Sequence, residues 1–204
     1  YAAIQLLLLL PVVLGFLFFE KSVTDWEAGM LDYGVYFGKY LAVIVLMVLL
    51  GAGAFIQICS RTVIALRKGE QRFARVIFQS GVHIAVIHSL FLAAFLAVMA
   101  EHAAGILGAG GNVTAVKLFR GGALMIPFAA LTYYFVRFLM MTGKNLLILG
   151  ALAISDIVFV LSMTLFLNMW KAGILALAYA GIMGSLVCCL LLGVITYRQL
   201  RVGD

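Results

Sequence analysis

Asp156 is the residue whose type and position point most directly to chemistry. It lies about ten residues into an apolar block at 146–168, which at ~1.5 Å of helical rise per residue is roughly halfway across a bilayer. No other carboxylate in the chain sits so deep in an apolar block. An ionised carboxylate loses its hydration at that depth. It must therefore take up a proton, find a cation or bond to a neighbouring helix. The first two options describe a proton or sodium site, or a contact for a cationic solute. The third describes a structural aspartate.

Fewer demands attach to the other polar groups in apolar blocks. His83 and His88 are five residues apart on one block, so on a helix they point to different faces. They do not form the i, i+4 pair that binds a metal, and bis-histidine haem ligation needs a histidine from a second helix. A cofactor-bearing electron-transfer subunit is disfavoured on that ground, and packing histidines are expected. His83 falls near the inner end of its block, where it can titrate. Arg137 falls near the inner end of another block, from which its head can snorkel to the interface. Tyr133 lies one turn earlier on the same face. Tyr33, Tyr36 and Tyr40 form a stripe at helical spacing, as expected of interfacial anchors. Cys59, Cys188 and Cys189 show no CxxC or Cys/His spacing and read as small apolar packing residues. GxxxxGK[ST], GxSxG and HExxH are all absent from the sequence, as is any pair of carboxylates on one helical face, so no enzyme and no resident cofactor are expected.

The elements that carry these residues follow from composition. Hydrophobic residues make up 66% of the chain and charged residues 11%, against roughly 25% charged in a soluble domain. The mean hydropathy is +1.19. The apolar residues come in blocks of about 18 or more, each long enough to cross a ~30 Å hydrocarbon core as a helix. Barrel strands would alternate polar and apolar residues; these blocks are apolar all round, so helices are expected. Six spans are placed at 2–19, 34–60, 77–100, 119–141, 146–168 and 173–197.

Charge sets the expected orientation. The connection 20–33 holds Lys21 against Glu20, Asp25, Glu27 and Asp32, a net −3. The connection 61–76 holds Arg61, Arg67, Lys68, Arg72 and Arg75 against Glu70, a net +4. Lysine and arginine concentrate on the cytoplasmic side, which gives N-in and C-in and a multi-pass protein of the cell membrane. Trp26 and Trp170 then fall on the outer side. The formal charge of +6 is accounted for by this loop bias, and no nucleic-acid partner is expected. Within the basic connection, Gly69 is placed to end a helix in the left-handed conformation. The stretch 70–75 after it suits a helix entering the interface beside anionic lipid head groups. Pro11 and Pro127 fall inside the first and fourth spans, where each removes a backbone donor and favours a kink. They are candidate hinges or simple determinants of local shape.

Two segments taken together carry a family resemblance. The first runs from Gly51-Ala52-Gly53 through Arg75 and the third span to Ala100-Glu101-His102-Ala103-Ala104-Gly105-Ile106-Leu107-Gly108-Ala109. The second is Ala172-Gly173-Ile174-Leu175-Ala176-Leu177-Ala178-Tyr179-Ala180-Gly181-Ile182, with Gly143 in the turn before the fifth span. Over roughly 45–197 the order and small-residue patterns resemble half of a multidrug and toxin extrusion (MATE) protein, and also the related polysaccharide flippases. The resemblance implies an all-α six-helix lobe that pairs with a second lobe, in cis or as a homodimer. It further implies alternating access that exports a small-molecule or lipid-linked solute, coupled to H+ or Na+. The chain departs from the family's ion site: no acid accompanies Pro11, an asparagine is usual where Asp156 falls, and the later acid position is Val160. A role for Asp156 therefore rests on its depth alone. A rival from another class is a non-transporting membrane subunit that anchors or stabilises a partner.

The orientation is open to a direct test. Single cysteines introduced into the 20–33 connection are expected to react with an impermeant maleimide added outside intact cells, and those in 61–76 are not. The reverse labelling pattern would invert the topology.

Overall fold

The computed structural model describes residues 42–50, 52–106, 113–170, 173 and 175–201, with no side-chain detail for 52–54. Every regular element among them is an α-helix. In chain order these are α1 (Ala42–Leu50), α2 (Ala52–Arg67), α3 (Gln71–Val98), α4 (Ala100–Ile106), α5 (Val113–Gly122), α6 (Met125–Met141), α7 (Asn145–Asn168) and α8 (Leu175–Arg201). The expected first span, the 20–33 connection, Pro11 and the Tyr33/Tyr36/Tyr40 stripe lie outside the described residues.

Three of these helices, α3, α7 and α8, are long and apolar enough to cross a membrane singly. Two bent pairs qualify when each is taken as one span: α1 with α2, bent by 50°, and α5 with α6, bent by 43°. The described residues thus hold three to five candidate spans. The expected fourth span at 119–141 is a broken one. Ala123 and Leu124 separate its halves, and Pro127 stands at the third position of the second half. A proline there has no N–H to return to the carbonyl four residues back, and its ring crowds that carbonyl. The chain instead makes short bonds, Leu124 N–H to Gly121 O at 3.2 Å and Ile126 N–H to Ala123 O at 3.2 Å.

The basic connection at 61–76 is also mostly helix. α2 continues to Arg67 and α3 starts at Gln71, leaving Lys68–Glu70 as the turn. Gly69 has φ +78°. Its N–H bonds to Leu66 O at 3.1 Å, and Glu70 N–H reaches back to Ala65 O at 3.0 Å, the bond pattern of a Schellman cap. The α6–α7 turn repeats it: Gly143 has φ +77°, Gly143 N–H bonds to Met140 O at 3.1 Å and Lys144 N–H to Leu139 O at 2.9 Å. Backbone bonds close both helix ends, and at the second the Thr142 hydroxyl adds bonds to Phe138 O at 3.2 Å and Leu139 O at 3.1 Å, which suits a sharp reversal between antiparallel spans.

α8 is the central helix. Half of its apolar window is buried in the bundle, against 28% for α3, and it packs chiefly on α7 and α6. Two apolar clusters stack along the bundle. One joins Ala93, Leu96, Phe119, Ile126, Phe159, Met163 and Ala180. The other joins Phe78, Ala85, Tyr134, Phe138, Leu152, Cys188 and Leu192. The second cluster turns on Tyr134, which is wholly buried. Its hydroxyl donates to Phe78 O at 3.2 Å, and Phe55, Phe78 and Phe135 surround its ring with centroids 5.0–6.0 Å away. Gly81 makes room for this contact. A Cβ there would collide with the Tyr134 hydroxyl and stand 2.6 Å from Ile58 Cγ2.

That close approach can be probed by adding one carbon. Gly81→Ala is expected to destabilise the protein by ~1–3 kcal/mol through overpacking, measured by unfolding in detergent. Gly150→Ala, whose Cβ meets nothing within 4 Å, is expected to be neutral or stabilising. Tyr134→Phe in the Gly81→Ala background should recover part of the loss. Equal losses at Gly81 and Gly150 would refute the packing account.

Candidate functional site

α7 buries Ile148, Ala151, Leu152, Asp156, Phe159 and Met163. The spacing of three and four places Asp156 in the middle of the packed stripe rather than on the lipid face. It is 6% exposed, and its Oδ2 is buried with no hydrogen-bond partner. In sequence it falls between Leu152, of one apolar cluster, and Phe159, of the other. The carboxyl group therefore interrupts the stacked apolar packing at mid-depth.

The surrounding groups come from three helices. Ser155, next to Asp156 on α7, donates to Gly184 O on α8 at 2.8 Å. Gly184 permits this approach; a Cβ there would stand 3.4 Å from Ser155 O and Phe159 Cβ. Cys188, one turn further along α8, lies beside Thr132 of α6 and Ser155, and close enough to Asp156 to feel its charge. Thr132 Oγ1 is buried, with the Cys188 thiol beside it. Asp156 thus presents an unsatisfied oxygen from α7 near the α8 thiol, which the Thr132 hydroxyl of α6 also borders. Such a set can hold a proton, or coordinate a small hard cation given further oxygens. Among the described residues, no group of three or more His, Cys, Asp and Glu side chains is arranged to hold a metal ion.

The remaining candidates do not gather around Asp156. His83 stands on the exposed face of α3, opposite the buried stripe of Ala74, Phe78, Gly81, Ala85, Ser89, Ala93 and Leu96. α3 begins at Gln71, so His83 lies about 12 residues into it, at ~18 Å along the axis. His88 has a buried Nε2 without a partner. α3 packs mainly on α2 and α6, whereas α7 packs mainly on α8. Arg137 and Tyr133 do pair: Arg137 Nε donates to Tyr133 Oη at 3.1 Å. They sit on α6 toward its basic end. All three cysteines are buried and free. Cys188, expected to be packing alone, also borders the candidate site, as do Thr132 and Ser155. Ser155 stood beside Asp156 in the sequence, but only the helix packing brings in the other two.

Charge divides the bundle by ends. Arg75 Nη2 donates to Leu200 O at 3.2 Å and Thr142 Oγ1 to Gln199 Oε1 at 3.5 Å. The start of α3, the α6–α7 turn and the end of α8 therefore meet. Arg61, Arg67, Lys68, Arg72, Arg75, Arg137, Lys144, Arg198 and Arg201 all lie toward this end. The other end carries Glu101, whose Oε1 accepts from Arg120 Nη2 at 2.8 Å. Both of those side chains are more than half exposed, so the pair adds little to stability.

No protein-family model, curated protein or solved structure matches this chain. The fold and the hydropathy of its helices define a class: an all-helical protein whose described residues include three to five helices able to cross a membrane.

The orphaned oxygen of Asp156 has a measurable consequence. An unsatisfied buried polar group costs ~1–3 kcal/mol, so Asp156→Leu is expected to raise stability by an amount of that order in detergent unfolding. A loss of stability would mean that the carboxylate has a structural partner.

Proposed function

We propose that this chain is one lobe of a secondary transporter that works by alternating access in the cell membrane, with Asp156 carrying the coupling ion, H+ or Na+. The observation that carries the reading is the buried, unpartnered Oδ2 of Asp156 at mid-depth of α7. A structural aspartate is normally satisfied by a neighbour. An ion carrier must instead keep an oxygen free for its cargo. The two bent pairs give further support. Each breaks inside its combined length, after nine residues in one pair and ten in the other, and discontinuous helices are a recurrent feature of transporter binding sites. A MATE-like exporter and a lipid-linked polysaccharide flippase both fit this reading. A second lobe, in cis or as a homodimer, would supply the facing wall of the cavity. The basic end is read as cytoplasmic.

One observation favours the rival reading of a non-transporting anchor subunit. Asp156 is sealed between helices and does not line the cavity of about 450 Å3 between α2 and α3. In the transporter reading, this is the occluded arrangement, and movement of α7 against α8 would open it.

Transport assays separate the two. In proteoliposomes, Asp156→Asn is expected to insert and fold as the parent chain does. It should lose solute movement driven by a proton or sodium gradient by about a hundredfold or more, the scale on which general acid–base groups act. Unchanged gradient-driven transport in the Asn variant would demote Asp156 to a structural residue. Absence of any gradient-driven transport by the parent chain, tested with and without a second lobe, would favour the anchor.

A further inference from the structure

The cavity between α2 and α3 opens on the outside of the bundle at the basic end. Its volume is about 450 Å3. Arg61, Lys68 and Glu70 line it around the α2–α3 turn, and below them the wall is apolar except for Ser80. Ile64, Phe73, Val76 and Ile84 each line it while remaining 48–59% exposed.

We propose that this groove binds an anionic phospholipid, with Arg61 and Lys68 holding the phosphate and an acyl chain lying along Phe73, Val76 and Ile84. Three observations carry it. The first is charge. Neither Arg61 nor Lys68 forms an ion pair with a described residue. Arginine matches phosphate oxygens with a planar fork, and lysine supports it as a point charge. The second is depth. Arg61 lies six residues before Arg67, the end of α2, about 9 Å along the axis. That is where a head group meets its acyl chains, and a long cationic side chain can reach up to it. The third is shape. The close contact of Gly81 with Tyr134 and Ile58 closes the floor, so the groove faces outward. A soluble phosphate has no use for the apolar wall, whereas a lipid uses both parts. Glu70 is the one acid in the lining, and it opposes an anion. The proposal needs the chain to cross a bilayer but not that Asp156 couples transport, so the two readings fail separately.

The test is native mass spectrometry of the full chain in detergent, titrated with phosphatidylglycerol and with phosphatidylcholine of the same acyl chains. The parent chain is expected to prefer phosphatidylglycerol by roughly tenfold or more, as two bases near an anionic head group imply. Arg61→Gln with Lys68→Gln should bring the two lipids to near parity, while Lys144→Gln with Arg198→Gln, at the same end but outside the groove, should keep the preference. Glu70→Gln should tighten phosphatidylglycerol binding, a gain that misfolding cannot imitate. Ile84→Trp should weaken both lipids. The proposal is overturned if the preference survives loss of Arg61 and Lys68, or if it falls equally without Lys144 and Arg198. It is also overturned if Glu70→Gln brings no gain, or if glycerol phosphate displaces phosphatidylglycerol at equal concentration. Absence of any lipid preference in the parent chain would overturn it as well.

Discussion

Helices in a bilayer gain little from hiding apolar surface from one another, because lipid tails are as apolar as leucine. What holds them is close approach, and close approach needs small side chains. The packed stripe of α3 meets this condition with Ala74, Gly81, Ala85, Ser89 and Ala93. The packed face of α8 does so with Ala176, Ala180, Gly181, Gly184 and Cys188. At Gly81 the approach is tight enough for Tyr134 of α6 to bond to the α3 backbone. At Gly184 it is tight enough for Ser155 of α7 to bond to the α8 backbone. The aromatic cluster around Tyr134 and the polar group around Asp156 both depend on these two glycine contacts.

The same close packing explains why Asp156 is an anomaly. With no water at mid-depth, each polar atom must find a partner in the bundle or remain unsatisfied. Ser155, Ser60, Thr62 and Ser185 bond to backbone carbonyls. Asp156 keeps an oxygen without a partner between two well-packed apolar clusters. The contrast between Asp156 and its neighbour Ser155, which bonds to Gly184 O, is the basis of the ion-carrying proposal.

Charge shapes the ends as packing shapes the middle. Two glycine turns with the same bond pattern bring basic helix ends together at one side. Among them, Arg61 and Lys68 border an apolar groove rather than open solvent. A cationic rim above an exposed apolar wall matches one molecule that the surroundings supply in quantity, a phospholipid.

Composition by itself determined that the described chain is helical and apolar enough to cross a membrane, because long apolar blocks in lipid leave the backbone few other options. Local chemistry determined the Gly69 turn, since a helix end in the left-handed conformation favours glycine whatever surrounds it. The positions of Asp156 and Pro127 in apolar blocks were also legible. The helix break at Ala123–Leu124 was foreshadowed by Pro127, but its angle was not, and the basic stretch at 61–76 reads as a loop in sequence although most of it is helix. Those outcomes depend on neighbours. So does the grouping of Thr132 and Cys188 near Asp156, and the separation of His83 from it: spacing along one helix assigns a residue to a face but says nothing of which helix that face meets. Tertiary packing alone decided that Asp156 faces α8 with an oxygen unpaired, because a missing hydrogen bond is a property of every surrounding helix together and is written in none of them singly.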